Sequence, residues 1–275
     1  MGVNNIFEIT FLGTGGSCGY NNGKRAKYGT NTPCAAVRVG DNPRHTLVFD
    51  AGNGICGLSA LPLYDNETVR LFLTHYHADH IRGLLFWDVF FDAGKRIQIT
   101  GIRTIHGGVR ETLDHYLRGP FYPAGLAAAK ADISFSDAAC GAAFLLEGGV
   151  TVRTVGLSHP DGGLGYRVDF EGKSMCYITD VALDNHRDNT LADFVRGTDL
   201  LINDAFFGTG ECIKGWGHSS VYECAKLARD ANAKRLALYH YKHTYTDDDI
   251  DEMEAVAKRE FPCAFAPTDG LVISL

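Results

Sequence analysis

The sequence predicts an α/β protein built as a four-layer αββα sandwich, with two mixed β-sheets face to face and helices outside. Three observations carry this expectation. Short apolar runs of strand length recur in two blocks, and each block mixes them with helical patterns; the helical patterns are the minority; and no Pro/Ser-rich linker, low-complexity tract or internal repeat divides the 275 residues. A single domain spanning 1–275 follows. With 45% hydrophobic residues and only 8 Pro, the chain has enough apolar surface to build a core, which excludes a disordered or collagen-like protein.

The elements are read in order. In the first block, Phe7–Leu12, Cys34–Val39 and Thr46–Phe49 are expected strands, followed by Val69–Leu73 and Arg96–Thr100, because β-branched and aromatic residues lie between turn formers. In the second block, Val150–Val155, Gly165–Phe170, Ser174–Ile178, Asp199–Asn203, Arg235–Leu238 and Leu271–Ser274 read the same way. Helices are expected at Ile81–Phe91, Val109–Leu117, Thr190–Arg196, Ser219–Ala231 and Asp247–Phe261, the last two with apolar residues three or four apart. The stretch Arg118–Asp132, with Gly119-Pro120, Pro123 and an alanine-rich run, is the least regular; it is a lid, a contact segment or an inert surface insertion.

Charge and cysteine usage narrow the class. A net charge of −7 gives no general attraction to DNA, RNA or an anionic membrane, although a local basic groove stays open. No apolar run approaches the 18 or so residues of a membrane span, and Met1–Thr10 is not a secretory signal, so a soluble cytoplasmic protein is expected. The 8 Cys are scattered with no C-x-x-C pair, which argues against structural zinc and for reduced, mostly buried thiols.

The histidines behave differently. The expected strand Val69–Leu73 runs into Thr74-His75-Tyr76-His77-Ala78-Asp79-His80, which places four candidate ligands in six residues. In an extended segment His75 and His77 point to one side and can share a cation, while Asp79 and His80, at the turn into a helix, face a second. Imidazole and carboxylate suit zinc, manganese or iron, and a cluster without cysteine leaves such ions Lewis acidic with open positions.

These residues spell H-x-H-x-D-H and resemble the signature of the metallo-β-lactamase-fold hydrolases. Phe11-Leu12-Gly13-Thr14-Gly15-Gly16-Ser17 resembles the opening strand and glycine loop of the ribonuclease Z-like branch, and lacks the Lys-Ser/Thr ending of a P-loop. Phe49-Asp50-Ala51-Gly52 resembles its second strand, which implies that Asp50 supports a metal-binding histidine. The resemblance also implies that His159, Asp180 and His240 complete the set. One ion would be held by His75, His77 and His159, the other by Asp79, His80 and His240, with Asp180 bridging; zinc is the expected metal, with manganese or iron as alternatives.

A second motif selects among hydrolases of this fold. Gly217-His218-Ser219-Ser220 resembles the G-H-S-[ST] element of the ribonuclease Z-like phosphodiesterases, which implies that His218 is a catalytic histidine that binds no metal. Leu200–Phe206 sits where that branch carries an H-E-A-T-like strand end, with Asp204 in place of the longer Glu. The implied reaction is hydrolysis of a phosphodiester by metal-activated hydroxide, Asp79 orienting the nucleophile and His218 with Asp204 assisting the leaving oxygen. Only 20 residues separate His159 from Asp180, too few for the exosite arm of the tRNA-processing enzymes. Together with the net −7 this favours a small substrate, a cyclic nucleotide above all, over tRNA, with relatives of the cyclic-pyrimidine nucleotide hydrolase type implying a homodimer. Trp216 and Tyr20 or Tyr28 either stack a base or simply pack. The competing expectations are tRNA 3′ processing, a thioesterase or lactonase, and a catalytically silent nucleotide-binding protein.

Overall fold

The computed structural model describes residues 6–275 apart from 22, 42–43, 62–67, 121, 123–124, 184–189 and 211. The first sheet takes β1 (Ile6–Gly13), β2 (Cys34–Gly40), β3 (Arg44–Phe49), β4 (Thr68–Phe72), β5 (Arg96–Ile102) and β6 (Asp132–Ala138). The second takes β7 (Ala143–Leu145), β8 (Thr151–Leu157), β9 (Gly163–Phe170), β10 (Lys173–Ile178), β11 (Leu200–Asp204), β12 (Leu236–Tyr239) and β13 (Ala264–Phe265). The last strand, β14 (Val272–Ser274), returns to the free side of β1, so the orders are β14-β1-β2-β3-β4-β5-β6 and β13-β12-β11-β10-β9-β8-β7. Each sheet is mixed. From β3 through β6 the first is parallel, and from β10 through β13 so is the second.

Alternation along the strands divides the apolar residues among three layers. Phe7, Ile9 and Phe11 of β1, Leu47 and Phe49 of β3, and Tyr166, Tyr177 and Tyr239 of the second sheet share the core between the sheets. Val48, Val69 and Leu71 face outward instead, under Trp87, Val109 and Leu113. Among the described residues the α-helices are α1 (Ala78–Ile81), α2 (Val109–Tyr116), α3 (Thr190–Val195), α4 (Val221–Asp230) and α5 (Asp247–Glu260), and on the far side of the second sheet Leu201 and Leu238 lie under the last two. This is the expected αββα order of layers.

Local sequence explains where those two helices start. Ser220 caps α4, its Oγ accepting from the Glu223 amide at 3.4 Å while Glu223 Oε2 accepts from the Ser220 amide at 2.8 Å. Thr246 and Asp249 repeat the arrangement at α5, where Asp247–Asp249 in the first turn and Lys258 and Arg259 in the last complement the helix dipole. Buried Val221, Cys224, Ala225, Leu227 and Ala228 form the apolar stripe of α4.

Several expectations are corrected. The helix expected at Ile81–Phe91 is one short turn, α1 (Ala78–Ile81), followed by 3₁₀ segments at Arg82–Phe86 and Asp88–Phe91 with Trp87 extended between them. Gly83 shows why: its amide donates to Ala51 O at 2.8 Å, and a Cβ there would lie 2.1 Å from Gly52 O, so tertiary approach overrides the helical spacing. Strands β6, β7 and β13 lie outside the expected set; all three are edge strands or neighbours of chain turns with few apolar residues. The expectation of mostly buried thiols also fails: Cys34, Cys176 and Cys224 are buried, Cys212 is half-buried, and Cys18, Cys56, Cys140 and Cys263 are exposed, all eight free. Within Arg118–Asp132 the structure gives a 3₁₀ turn at Leu126–Ala128 and the start of β6, while residues 121, 123 and 124 lie outside the described residues. Residues 1–5 of the expected N-terminal stretch also lie outside them. No helix among the described residues is long and apolar enough to cross a membrane.

Candidate metal centre

Strand ends of both sheets deliver the site, all of them carboxyl ends of the parallel strands, where open α/β sheets place their ligands, except for the end of the antiparallel β8. Asp50 follows β3, His75 to His80 follow β4, His159 follows β8, Asp180 follows β10, Asp204 ends β11, and His240 follows β12. The chain turns sharply there. Asp50, Asp180 and His240 have φ of 59°, 54° and 63°, and Ser17 of the glycine loop has 61°. Such left-handed backbone in non-glycine residues costs about 1–3 kcal/mol each and persists where the surroundings enforce it.

Besides the group Asp180, His218 and His240, which shares residues with both, two sets of donor atoms converge there. Asp79, His80 and His240 form one: His240 Nε2 lies 3.2 Å from Asp79 Oδ2 and 3.3 Å from His80 Nε2. His75, His77 and His159 form the other, with His159 Nε2 at 3.1 Å from His77 Nδ1. Asp180 stands between them and presents one oxygen to each. Its Oδ1 is 3.2 Å from His240 Nε2 and 3.3 Å from His80 Nε2, whereas its Oδ2 is 3.7 Å from His75 Nε2 and 3.8 Å from His159 Nε2.

These residues fit a pair of divalent cations. Ligands at 2.0–2.1 Å from a tetrahedral ion lie about 3.3 Å from one another, close to the separations within the Asp79 set. His75 Nε2 is buried with no hydrogen-bond partner, an orphan that coordination would satisfy. Burial, reinforced by the neighbouring His80, pushes His75 well below the ordinary histidine range, and burial pushes His77 and His159 down as well. Neutral imidazoles are the ligating form. Burial works against the charged carboxylates, yet His240 and His80 hold Asp180 well below the usual range, and His80 and His240 do the same for Asp79. His80 is buried too, which alone would lower its pKa, but Asp180, Asp79 and Asp50 hold it well above. The carboxylates therefore draw a proton onto His80 where a bound cation would otherwise balance them, and the donors contain no thiolate. That chemistry suits zinc, manganese or iron.

The surroundings fix each ring. His80 Nδ1 donates to Asp50 Oδ2 at 2.8 Å, and Asp50 accepts in turn from the Thr74 amide at 2.8 Å and from Tyr177 OH at 3.1 Å. This is the support expected of Asp50. Three contacts have no signature in the sequence: Gly217 O accepts from His159 Nδ1 at 2.9 Å, Thr74 Oγ1 lies 3.0 Å from His75 Nδ1, and the Ser17 amide donates to Asp79 Oδ2 at 2.7 Å. The last gives the glycine loop a task. Gly16 packs so closely on His240 that a Cβ would sit 2.6 Å from its ring.

His218 and Asp204 meet beside the donor set in spite of the shorter Asp side chain. His218 Nδ1 donates to Asp204 Oδ2 at 2.8 Å, and the same carboxylate accepts from the Val181 and Phe206 amides at 3.1 and 2.9 Å. Burial would lower the His218 pKa, but Asp204, helped by Asp180, pushes it up to about 9. Although His218 Nδ1 comes within 3.9 Å of Asp180, it is engaged by Asp204. The ring stacks on Phe206 at 4.3 Å between centroids and lies parallel to His240 at 5.2 Å. Phe206 has no counterpart among the residues singled out by sequence. Of the three aromatic residues that were, Tyr28 is buried, Tyr20 is exposed, and Trp216 both packs on Phe206 and Phe207 and stays half exposed.

Comparison with known proteins agrees with this architecture. A ribonuclease Z from Metallosphaera sedula is 41% identical over 86 residues, a match covering 31% of this chain and 29% of that protein. The chain thus matches less than a third of that relative's length. YhfI from Bacillus subtilis, a metallo-beta-lactamase fold protein, superposes over 99% of this chain and 100% of its own with a TM-score of 0.75 at 20% identity. A diphosphatase of the PhnP family does so over 98% of each chain with a TM-score of 0.69 at 19% identity. The model of the beta-lactamase superfamily domain matches residues 45–241, the stretch that carries the donor set from His75 to His240, and the chain accordingly belongs to the beta-lactamase superfamily, with the metallo-β-lactamase fold.

Proposed function

We propose that the chain is a binuclear-metal phosphodiesterase, acting as one domain, that hydrolyses a small phosphodiester such as a cyclic nucleotide. The observation that carries this reading is the geometry of Asp180, whose two oxygens face two separate donor sets while the His218–Asp204 pair stands alongside. In this reading His75, His77 and His159 would hold one ion and Asp79, His80 and His240 the second, with Asp180 shared between them. When bound, such ions supply Lewis acidity to the phosphoryl group and acidify water to a pKa of about 7, zinc being the metal favoured here.

The chain's own residues supply the rest. Asp79 is held as a carboxylate with one oxygen fixed by the Ser17 amide, so it orients the attacking water by accepting a hydrogen bond rather than by taking its proton. As the water oxygen bonds to phosphorus and the bond to one ester oxygen breaks, that oxygen needs a proton. His218 has Nδ1 committed to Asp204, leaving Nε2 to donate. The water's own proton passes to solvent, and the products are a phosphomonoester and an alcohol.

Substrate size is supported by what separates His159 from Asp180: the antiparallel pair β9 and β10, joined through Glu171 and Gly172, occupies it with no room for an arm. The same short connection and the net −7 disfavour a large RNA. A tRNA 3′-processing activity is kept as the second reading because the matched relatives are ribonucleases Z. The test measures turnover by the metal-loaded chain of bis-p-nitrophenyl phosphate, a thioester, a β-lactam, cyclic nucleotides and a pre-tRNA with a 3′ trailer. The proposal expects the first and the cyclic nucleotides to be cleaved. Activity on the thioester alone would sink it, and trailer removal would select the second reading. The expected homodimer is tested on the same material by its mass in solution.

A further inference from the structure

Among the described residues, two cavities meet at Pro160 and each touches the donor set. The smaller, about 190 Å³, is lined by His75 and His77 together with His106 and Asp161. The larger, about 400 Å³, is lined by His159 and Gly217 together with Ser158, Ala182 and Lys214. A diester has two arms, and this site has two places to put them. A cyclic mononucleotide, with both ester oxygens on one ribose, would fill only one.

The two places differ in chemistry. The larger adjoins the turn 213–217, in which the Trp216 amide donates to Ile213 O at 3.2 Å. That turn is locked to the donor set at Gly217: its φ is +77°, its oxygen holds His159, and a Cβ would lie 2.3 Å from His159 Nδ1. Above it, Trp216 lies 6.5 Å from Phe206, which stacks on His218, so an aromatic surface runs outward from the proton donor. Half of Trp216 remains exposed, 50% by area, although Phe206 and Phe207 beneath it are buried. Lys214 makes no ion pair among the described residues. Lys242 stands behind the same wall, its Nζ 5.9 Å from the Phe206 ring. The smaller cavity has no lysine or arginine and carries Asp161. Positive charge and an exposed flat ring therefore lie together on the side where His218 would protonate the leaving oxygen.

We propose that the turn 213–217 binds the departing half of the substrate, Trp216 stacking on its base and Lys214 pairing with a second phosphate that it carries. This deepens, and rests on, the phosphodiesterase reading above. The substrate class becomes a nucleotide diester with two phosphates. A cyclic dinucleotide and a linear dinucleotide phosphorylated on its leaving nucleoside share that chemistry, and a cyclic mononucleotide lacks it.

The test uses the full metal-loaded chain and five substrates: bis-p-nitrophenyl phosphate, a dinucleoside monophosphate, the same compound with a terminal phosphate on the leaving nucleoside, a cyclic dinucleotide and a 3′,5′-cyclic mononucleotide. The terminal phosphate is expected to lower KM about three- to fivefold, the scale of an exposed ion pair. Lys214→Ala should erase that gain and Lys214→Arg should keep it. Trp216→Ala should raise KM for both dinucleotides about 5- to 100-fold, as loss of a base-stacking ring does, with Trp216→Phe retaining most of the affinity. Whichever of the cyclic or the terminally phosphorylated dinucleotide has the higher kcat/KM identifies the source of the second phosphate. A gain that survives Lys214→Ala, or a cyclic mononucleotide cleaved better than both two-phosphate compounds, overturns the proposal while the parent reading stands. No turnover of bis-p-nitrophenyl phosphate overturns both.

Discussion

Replacing Asp204 by Asn would separate the proton donor from the cation-binding set. Asp204 is fully buried, and its two oxygens accept from His218 Nδ1 and from the Val181 and Phe206 amides. Asn keeps the volume but has one oxygen. If that oxygen stays on Phe206, the amide nitrogen faces both the Val181 N–H and His218 Nδ1, and the unsatisfied Val181 donor costs about 1–3 kcal/mol of stability. The larger effect is chemical. Asp204, with help from Asp180, lifts the His218 pKa from 6.5 to about 9 against the pull of burial, which at 1.36 kcal/mol per unit is about 3.4 kcal/mol in favour of the imidazolium. Cations at Asp180 oppose protonation, so this is a ceiling, corresponding to about 300-fold in the ratio of protonated to neutral imidazole. The loss should follow the leaving group. For a nucleotide, whose departing alkoxide is strongly basic, kcat should fall about 10²- to 10³-fold, within the range general acids contribute. For bis-p-nitrophenyl phosphate, whose departing phenolate needs little protonation, it should fall only a few-fold. The assay is kcat on both substrates at equal metal content, measured per chain by elemental analysis. Equal losses on the two substrates, or none on the nucleotide, would refute the acid role.

Three further substitutions probe other parts of the structure. Asp50→Asn should weaken metal affinity about 10- to 100-fold, as removal of a partner behind a ligating histidine does, read by chelator competition; unchanged affinity would mean that His80 orients itself. Gly217→Ala should cost about 10²-fold in kcat/KM, because the new Cβ meets His159 Nδ1 at 2.3 Å with φ at +77°, and wild-type kinetics would show the turn to be free of the site. Asp199, on the second sheet, accepts from the Ser174 amide and from Lys234 Nζ at 2.8 and 2.7 Å; burial resists its charge, but these partners hold its carboxyl below the usual range. A depressed folded-state pKa gives stability that is present above the unfolded value of about 3.9 and lost as pH falls through the folded one. Asp199→Asn should therefore lower the unfolding free energy at pH 7 by about 1.5–3 kcal/mol, and the difference should begin to shrink as pH falls below about 4 and vanish once pH is below the folded-state pKa.

The parts of the fold that were legible in sequence are those where a single local pattern decides. Strands such as Phe7–Leu12 and Val69–Leu73 are dense in large apolar residues that the fold buries, and α4 and α5 announce themselves by apolar residues three or four apart. Edge strands gave weaker signals: β6, Asp-Ile-Ser-Phe-Ser-Asp-Ala, alternates with only two large apolar residues, and β13 has two residues in all. The segment after α1 misled because its apolar spacing is helical, while Gly83 meets Gly52 O too closely for a continuous helix. At the site, residue type and spacing pointed to His75, His77, Asp79 and His80 because metal chemistry restricts the choice of side chain, while His159, Asp180, His240 and His218 were reached through the resemblance to metallo-β-lactamase-fold hydrolases. The same restriction does not apply to Ser17, Gly217 or Phe206, which act through an amide, a carbonyl oxygen and a ring face. Only the folded chain brings these against Asp79, His159 and His218.

Asp180 is the residue proposed to join two cation sites, and its role can be measured. It is tested most directly by metal content per chain after reconstitution with zinc, followed through bis-p-nitrophenyl phosphate turnover in the wild type and in Asp180→Ala. Two zinc ions per wild-type chain are expected, with both metal and turnover lost together in the variant and the fold retained by circular dichroism. One ion or none in the wild type, or a folded Asp180→Ala chain that keeps two ions and full turnover, would contradict it.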